Sequence, residues 1–517
     1  MTIVARTIKT LHYKLCSVFV VFPNCEFEYW ITVSKSFAFS GFKLNMIRKG
    51  FCVIRIDDKY IKNLNNILDS IEYIYFLKNI RGVFDFADPW FDFDGMLSAL
   101  EYLNVPNQQS IKLLYMGIPA NLSELSKELG KTAIDTMVES GIWYYDNDFV
   151  KTNNLVVLVY QGIKILTEIN PHFNTCINRN TDVYIGMDSL RLAENIQFKR
   201  NTTVLDLCSG TGIQGLLAAR SAKKVVSVEI NPVTVNVTKF NVALNELNDF
   251  IEVRLGDLYT VLSENEKFDF IYANPPFIPM IDDVEYPICG TGGEDGLKVL
   301  KKIVEQLDKH LSVGGQSIIF CQCLGDANHV FFNDFLESYS QNNCFRVNCI
   351  IKERIPYEFQ LELLTELTSK FNSNFDEDIF KSKMYDIYTS MGATYLYTVL
   401  YKFSKVRDFD KGVYLFNQSN LWDLDSKCVG LNTISVTADK NSFELYLNSD
   451  RVGFIDSEAK DIIFFLMRGY KVSEIADELF EKYKNDEKYL KYKKAAFICS
   501  VLDTCNKLEQ LGVIRQK

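Results

Sequence analysis

Two short runs carry residues whose types and spacing could do chemistry. The first is Asp206-Leu-Cys-Ser-Gly210-Thr-Gly212-Ile-Gln-Gly215, which follows an apolar stretch and opens a helical pattern. Its glycines let the backbone turn tightly and approach a ligand closely. A bare G-x-G-x-x-G recurs by chance, so its neighbours decide what it means. Here Glu229 closes the next apolar stretch, Val-Val-Ser-Val-Glu229, 23 positions after Asp206. A carboxylate at that place can accept hydrogen bonds from both hydroxyls of a ribose. The following stretch ends in Gly256-Asp257-Leu258, and Asp257 can accept from an adenine amino group. A dinucleotide and S-adenosylmethionine (AdoMet) both fit glycines beside a ribose-binding acid. A leading Asp206 sits badly against a pyrophosphate, which favours bare N–H groups or positive charge. It suits a cationic amino acid whose ammonium it can face. Asp206, Gly210, Gly212, Glu229 and Asp257 therefore predict AdoMet, which carries a sulfonium and an ammonium and no phosphate.

The second run is Ala273-Asn274-Pro275-Pro276-Phe277, after the apolar stretch Phe268–Ala273. Two prolines end the strand and fix the backbone. The side-chain carbonyl of Asn274 and the backbone carbonyl of Pro275 can then point at one spot, and both are acceptors. Together they would hold the two hydrogens of an amide or aromatic amino group and aim its nitrogen lone pair at a methyl donor. Phe277 can stack on a planar substrate. Alignment of this kind lowers a barrier by several kcal/mol, up to roughly 7–11 in ideal cases. A strong base is unnecessary if the proton leaves after transfer. The bland alternative for either run is a rigid turn at a strand end.

The elements that must position these runs follow from periodicity. From residue 203 onward, strands alternate with helices: 204–207, 225–228, 251–255, 268–273 and 317–323 read as strands, and 215–221, 233–244 and 296–310 as helices. Further strands are expected at 345–352 and 394–403. The pattern predicts an α/β, Rossmann-like domain with a mainly parallel sheet, spanning 171–404. Upstream, 109–117, 122–129 and 132–140 read as helices, with Asn121 as an N-cap, followed by a strand at 142–145 and the turn Asp146-Asn147-Asp148. Three helices and a hairpin predict a winged-helix-like domain over 46–170. A winged helix can bind nucleic acid, but the second and third helices carry little net positive charge, which favours packing or substrate gripping. Residues 405–517 form a small helix-rich domain, with helices expected at 457–467 and about 493–511.

Composition narrows the partners. Sixty-six acidic against 56 basic side chains give a net charge of −10, so there is no general pull toward phosphate backbones. Thirteen cysteines lack C-x-x-C pairs, and the four histidines fall outside both motifs, so reduced thiols and no metal site are expected. No stretch is long and apolar enough to span a membrane, and a cytoplasmic location is expected. Arg6, Lys9 and Lys14 precede a short apolar run at 15–22 that loosely mimics a signal peptide. Met46 could be an alternative start, and 1–45 is treated as an uncertain extension.

Residues 182–325 resemble the small-methyltransferase group of class I AdoMet-dependent enzymes, through Asp206–Gly212, Glu229, Asp257 and Asn274–Phe277. Gly292-Gly-Glu-Asp-Gly-Leu297 resembles the loop that follows that group's catalytic motif. Tyr184-Ile-Gly186-Met-Asp188-Ser189 resembles its segment over the AdoMet, so Gly186 and Asp188 join the expected cofactor residues. The resemblance implies Asn274 as the catalytic residue and methylation at nitrogen. It leaves the substrate open, because amide and nucleobase enzymes share the motif. Residues 441–517 resemble the small PqqD-like domains, which bind a precursor peptide's leader as an added strand; a generic winged-helix or packing module would share the same punctuation. Three acceptors stay open: a peptide or protein, favoured by the charge balance and compatible with modified-peptide biosynthesis; an RNA nucleobase; and a small molecule.

Overall fold

The computed structural model describes residues 16–20, 29–33, 45–47, 54–80, 97, 100, 106–169, 183, 185–369, 372, 375–407, 410–417, 426–430, 434–439, 442–447, 450–455, 457–485, 494–510 and 514–516. The chain divides into two compact units, Met1–Ile54 and Arg55–Lys517. In the first, β1 (Cys16–Val20), β2 (Tyr29–Val33) and β3 (Asn45–Ile47) make an antiparallel sheet in that order. Runs such as Tyr-Trp-Ile-Thr-Val are rich in the β-branched and aromatic residues that suit a pleated surface. Two of these strands lie within the segment that the sequence left without elements.

The second unit opens with helices Asp58–Ser70 and Tyr73–Ile80. Helix Gln108–Met116, β4 (Ala120–Asn121), helices Leu122–Leu129 and Lys131–Ser140, β5 (Trp143–Asp146) and β6 (Phe149–Thr152) follow. The three strands pair antiparallel in the order β4-β6-β5. Asn121 caps its helix, its side-chain oxygen accepting from the N–H groups of Ser123 and Glu124. Helix Lys131–Ser140 lies against Asp58–Ser70, where Asn63 Nδ2 donates to the Ala133 carbonyl at 3.0 Å and Lys59 pairs with Glu139 at 3.1 Å. β7 (Leu155–Tyr160) and β8 (Ile163–Glu168) form a hairpin through Gln161 and Gly162, both at positive φ as a tight two-residue turn requires. Every residue of β7 is buried.

The central sheet has eight strands in the order β11-β10-β9-β12-β13-β15-β14-β16. These are β9 (Thr203–Leu207), β10 (Lys224–Glu229), β11 (Ile251–Leu255), β12 (Phe268–Ala273), β13 (Leu311–Gly325), β14 (Phe345–Pro356), β15 (Tyr395–Lys405) and β16 (Gly412–Asn417). All pairings are parallel except those of β15, which runs antiparallel to both neighbours. Val204, Leu205, Leu207, Val225, Val226 and Val228 are buried, as strands covered on both faces require. The chain moves outward from β9 to β10 and β11, then returns to place β12 on the other side of β9. That reversal opens a crevice at the C-terminal strand ends, where open α/β sheets bind ligands.

Beyond the sheet, β17 (Cys428–Gly430) pairs with β21 (Ile514–Gln516), and β18 (Ile434–Asp439), β19 (Ser442–Leu447) and β20 (Asp450–Ile455) form an antiparallel sheet. Helices Ser457–Met467, Val472–Tyr483 and Lys494–Gln510 complete this end. Their buried Leu466, Ile475 and Leu502 share one apolar core with Met280, Leu361 and Tyr388. The C-terminal helices are thereby packed with the segment that follows Asn274. Among the described residues no helix is long and apolar enough to cross a membrane.

Candidate active site

The loop after β9 is built to turn sharply. Cys208, Gly210 and Gly212 all take positive φ before helix Ile213–Ala218 begins. A side chain at Gly212 would also collide, its Cβ standing 2.8 Å from Thr238 Cγ2. Helix Pro232–Leu244 clamps the loop from behind. Thr238 Oγ1 donates to the Gly210 carbonyl at 2.6 Å, and Asn241 Nδ2 donates to the Thr211 carbonyl at 3.0 Å. Asn241 also donates to Leu166 of β8 and accepts its N–H, which ties the loop to the β7–β8 hairpin.

Glu229 ends β10 with its carboxylate already engaged. Oε2 accepts from Gly210 N–H at 3.0 Å, and Oε1 accepts from Ile230 and Asn231 N–H at 2.9 and 3.0 Å. Of about four acceptor positions on a carboxylate, one remains, on Oε2. Burial pushes this carboxyl above the usual range, and the three N–H donors oppose that shift. Asp206 is placed differently from the expectation that it faces a ligand ammonium. Its Oδ2 accepts from Gly215 N–H at 3.1 Å and from Ser227 Oγ at 3.4 Å, beneath the loop. Burial lifts its pKa to about 7. The reason is local: Gly215 presents no side chain, so the start of the helix closes directly over Asp206.

A cavity of about 410 Å³ opens at these strand ends. Gly210, Glu229, Asp257, Asn274, Pro276 and Asp188 all line it. Gly186, Asp206, Gly212, Pro275 and Phe277 are not among its lining residues. Gly186 is the N-cap residue of helix Met187–Ala193. Phe277 turns toward the sheet instead, its ring edge-on to Phe320 with centroids 6.1 Å apart. The expected stacking platform is thus part of the apolar core around β13. Asp257 is half-exposed at the rim, 4.0 Å from Lys302.

Asn274 carries the most informative contacts. Its Nδ2 donates to Asp188 Oδ2 at 2.7 Å and to Ser189 Oγ at 3.3 Å. Its Oδ1 is buried and has no hydrogen-bond partner among the described residues. Leaving a buried acceptor unpaired costs about 1–3 kcal/mol, so such an atom points to a partner that arrives from outside. Ser209 Oγ, on the same cavity wall, is a second buried atom without a partner among the described residues. Nothing in the sequence singles out Ser209, since a serine in a glycine loop is also ordinary turn chemistry. The run after Asn274 folds back on itself. Ile278 N–H donates to the Gly290 carbonyl at 2.8 Å, Gly292 N–H donates to the Ile278 carbonyl at 2.9 Å, and Met280 N–H donates to the Gly293 carbonyl at 2.9 Å. Gly296 lies so close that a Cβ there would stand 2.4 Å from the Phe277 carbonyl oxygen.

Residues 185–347 match the methyltransferase small domain. The chain is 35% identical over 134 residues to a Methanocaldococcus jannaschii protein named as a protein N5-glutamine methyltransferase, covering 25% of this chain and 66% of that protein. It is 35% identical to the release factor glutamine methyltransferase of Clostridium acetobutylicum, over 24% of this chain and 47% of the relative. The ribosomal protein uL3 glutamine methyltransferase of Francisella tularensis is 29% identical, over 23% of this chain and 40% of the relative. The matches therefore span roughly two fifths to two thirds of these relatives.

Proposed function

We propose that this chain is an AdoMet-dependent methyltransferase that modifies an amide nitrogen of a protein or peptide. The observation that carries the reading is Asn274 Oδ1 on the cavity wall, a buried acceptor without a partner among the described residues. An amide NH₂ can satisfy it, and in doing so places its nitrogen inside the cavity.

The residues present fit AdoMet. The open position on Glu229 Oε2 suits one ribose hydroxyl, Asp257 suits the adenine amino group, and Ser209 Oγ offers a free polar atom beside Gly210. When bound, AdoMet supplies an electrophilic methyl group on its sulfonium sulfur. The protein's part is binding and alignment. Asn274 Oδ1 takes one N–H of the acceptor, which fixes the amide plane and turns the nitrogen lone pair away from the Asn274 wall. Pro276, with no N–H of its own, keeps this wall free of a competing donor. No strong base is needed, because the cationic N-protonated amide formed by the transfer is acidic enough to release its proton to water.

A protein acceptor fits the rest of the chain better than RNA. We read 46–170 as the winged-helix-like domain, in which one face of helix Lys131–Ser140 packs on helix Asp58–Ser70. We read β18–β20 with the three following helices as a PqqD-like, peptide-gripping module, packed on the segment after Asn274. The names of the relatives, which specify glutamine in proteins, support the same direction. The test is transfer of radiolabel from AdoMet into a host lysate, with separate protease and RNase digestion. Label removed by protease supports the reading. Label removed only by RNase would replace it with a nucleobase enzyme.

A further inference from the structure

We infer that Asp188 is a positioning residue: it sets which end of the Asn274 amide faces the cavity, and so decides that the site accepts N–H donors. An asparagine side chain has two orientations of nearly equal shape, which exchange oxygen for NH₂. Only one of them satisfies Asp188. Its Oδ2 lies 2.7 Å from Asn274 Nδ2, a distance typical of a charge-assisted bond. Turning the amide over would bring oxygen against a carboxylate oxygen, which repels. Ser189 Oγ, 3.3 Å from the same Nδ2, adds a second acceptor. With Nδ2 held on that side, Oδ1 points to the other, where no group among the described residues meets it.

Asp188 stands in the first turn of helix Met187–Ala193, where the backbone N–H groups of Asp188 and Ser189 also reach its carboxylate and hold it beside Asn274. Asp188 and Asn274 are 86 residues apart, and they meet because helix Met187–Ala193 packs on the sheet beside β13. Asp188 lines the cavity as well, so a direct role toward a cofactor ammonium is the competing assignment. The two differ in what they do to Asn274. A positioning carboxylate controls the Asn274 amide and leaves AdoMet affinity alone. A cofactor-binding carboxylate does the reverse. The consequence for chemistry is selectivity: a site that presents only Oδ1 welcomes an amide NH₂ and repels a carboxylate of the same shape.

This inference rests on the reading of Asn274 as the acceptor-binding residue, and its test separates the two. Full-length protein is labelled with ¹⁵N at asparagine side chains, and the Asn274 amide pair is identified by its loss in Asn274→Asp. In the wild-type protein one Asn274 proton is expected downfield and slow to exchange with solvent. Asp188→Ala should abolish both features. Asp188→Asn, which still offers an oxygen, should retain them in part, because two facing amides can pair either way round. AdoMet affinity by calorimetry should change less than about twofold in both variants. Methyl transfer into lysate protein should fall on the order of 100-fold in Asp188→Ala with an unchanged KM for AdoMet, the size seen when one aligned hydrogen bond is lost from a reacting centre, and recover in large part in Asp188→Asn. An Asn274 pair unmoved by Asp188→Ala would overturn the inference, as would a tenfold loss of AdoMet affinity. A wild-type protein that shows the Asn274 signature but transfers no methyl group would sink the proposed activity and leave the positioning role intact.

Discussion

The Glu229 carboxylate and the Gly210 N–H meet at 3.0 Å, so the end of β10 and the loop after β9 are one hydrogen-bonded unit. Glu229 also holds the N–H groups of Ile230 and Asn231, and therefore shapes its own strand end as well as the loop. Its one remaining acceptor position is what a ribose hydroxyl would use. Glu229→Ala should lower AdoMet affinity about 10- to 100-fold, as expected for a charged hydrogen bond of about 1.5–3 kcal/mol. Calorimetric titration checks this, and unchanged affinity would remove the ribose assignment.

Asn274→Ala separates binding from transfer. The variant removes the orphaned Oδ1 and leaves Glu229 and Asp257 in place. AdoMet affinity should stay within about threefold while the transfer rate falls about 100- to 1,000-fold, the scale of losing one aligned group at a reacting centre. Turnover equal to the wild-type rate would end the role proposed for this residue.

Asp206 makes stability depend on pH. Burial raises its pKa to about 7 in the folded protein, against 3.8 for an ordinary aspartate. Between those values the folded state binds a proton that the unfolded state does not. The stabilising contribution is therefore complete below about pH 4 and is lost as pH rises through about 7. Relative to Asp206→Asn, the wild-type protein should be more stable at pH 5 than at pH 8. The limit is on the order of 4 kcal/mol, from about three pKa units at 1.36 kcal/mol each. Urea unfolding of both proteins at both pH values gives the difference, and a difference that does not change with pH would mean that Asp206 ionises normally.

Much of the site was legible because strand ends announce themselves. Glu229 and Asn274 follow apolar runs and Asp257 follows the alternating run Ile-Glu-Val-Arg-Leu, and a chemistry-bearing side chain at such a strand end in a parallel sheet has few other uses. The side-chain directions were less legible. Pro275-Pro276-Phe277 predicts a rigid turn, but whether the ring faces a ligand or the core depends on Phe320, which is 43 positions further along. Asp188 resembled a cofactor residue by local pattern, and only the tertiary fold shows Asn274 beside it. The strand β13 is expected only over 317–323. The strand instead runs from Leu311, with an irregular register opposite Phe268 and Phe270. There Gly315 lies so close to β12 that a Cβ would stand 2.9 Å from the Asp269 carbonyl oxygen.

The loop clamp gives a cycle that isolates one contact. Gly212→Ala should destabilise the protein by about 1–2 kcal/mol for the left-handed backbone alone, and by more through the clash with Thr238 Cγ2. Thr238→Ser removes that methyl group and keeps the hydroxyl that donates to Gly210. The double variant should recover part of the loss in thermal unfolding. Strictly additive effects would show that Thr238 does not confine Gly212.

The segment after Asn274 offers the sharpest test of how the transfer site is held. Gly293 and Gly296 share a left-handed backbone, at φ 82° and 74°. An added Cβ at Gly293 would meet Lys298 Cβ at 3.2 Å, a side chain that can shift. At Gly296 it would meet the Phe277 carbonyl oxygen at 2.4 Å, and that atom belongs to the backbone that carries Asn274 and Pro276. Both alanine variants therefore bear a similar conformational penalty of about 1–2 kcal/mol, but only Gly296→Ala pushes on the motif. Its methyl-transfer rate should fall at least tenfold below that of Gly293→Ala, with AdoMet affinity alike in the two. Equal rates would mean that the Phe277 backbone yields without disturbing Asn274, and that the loop does not hold the acceptor site in place.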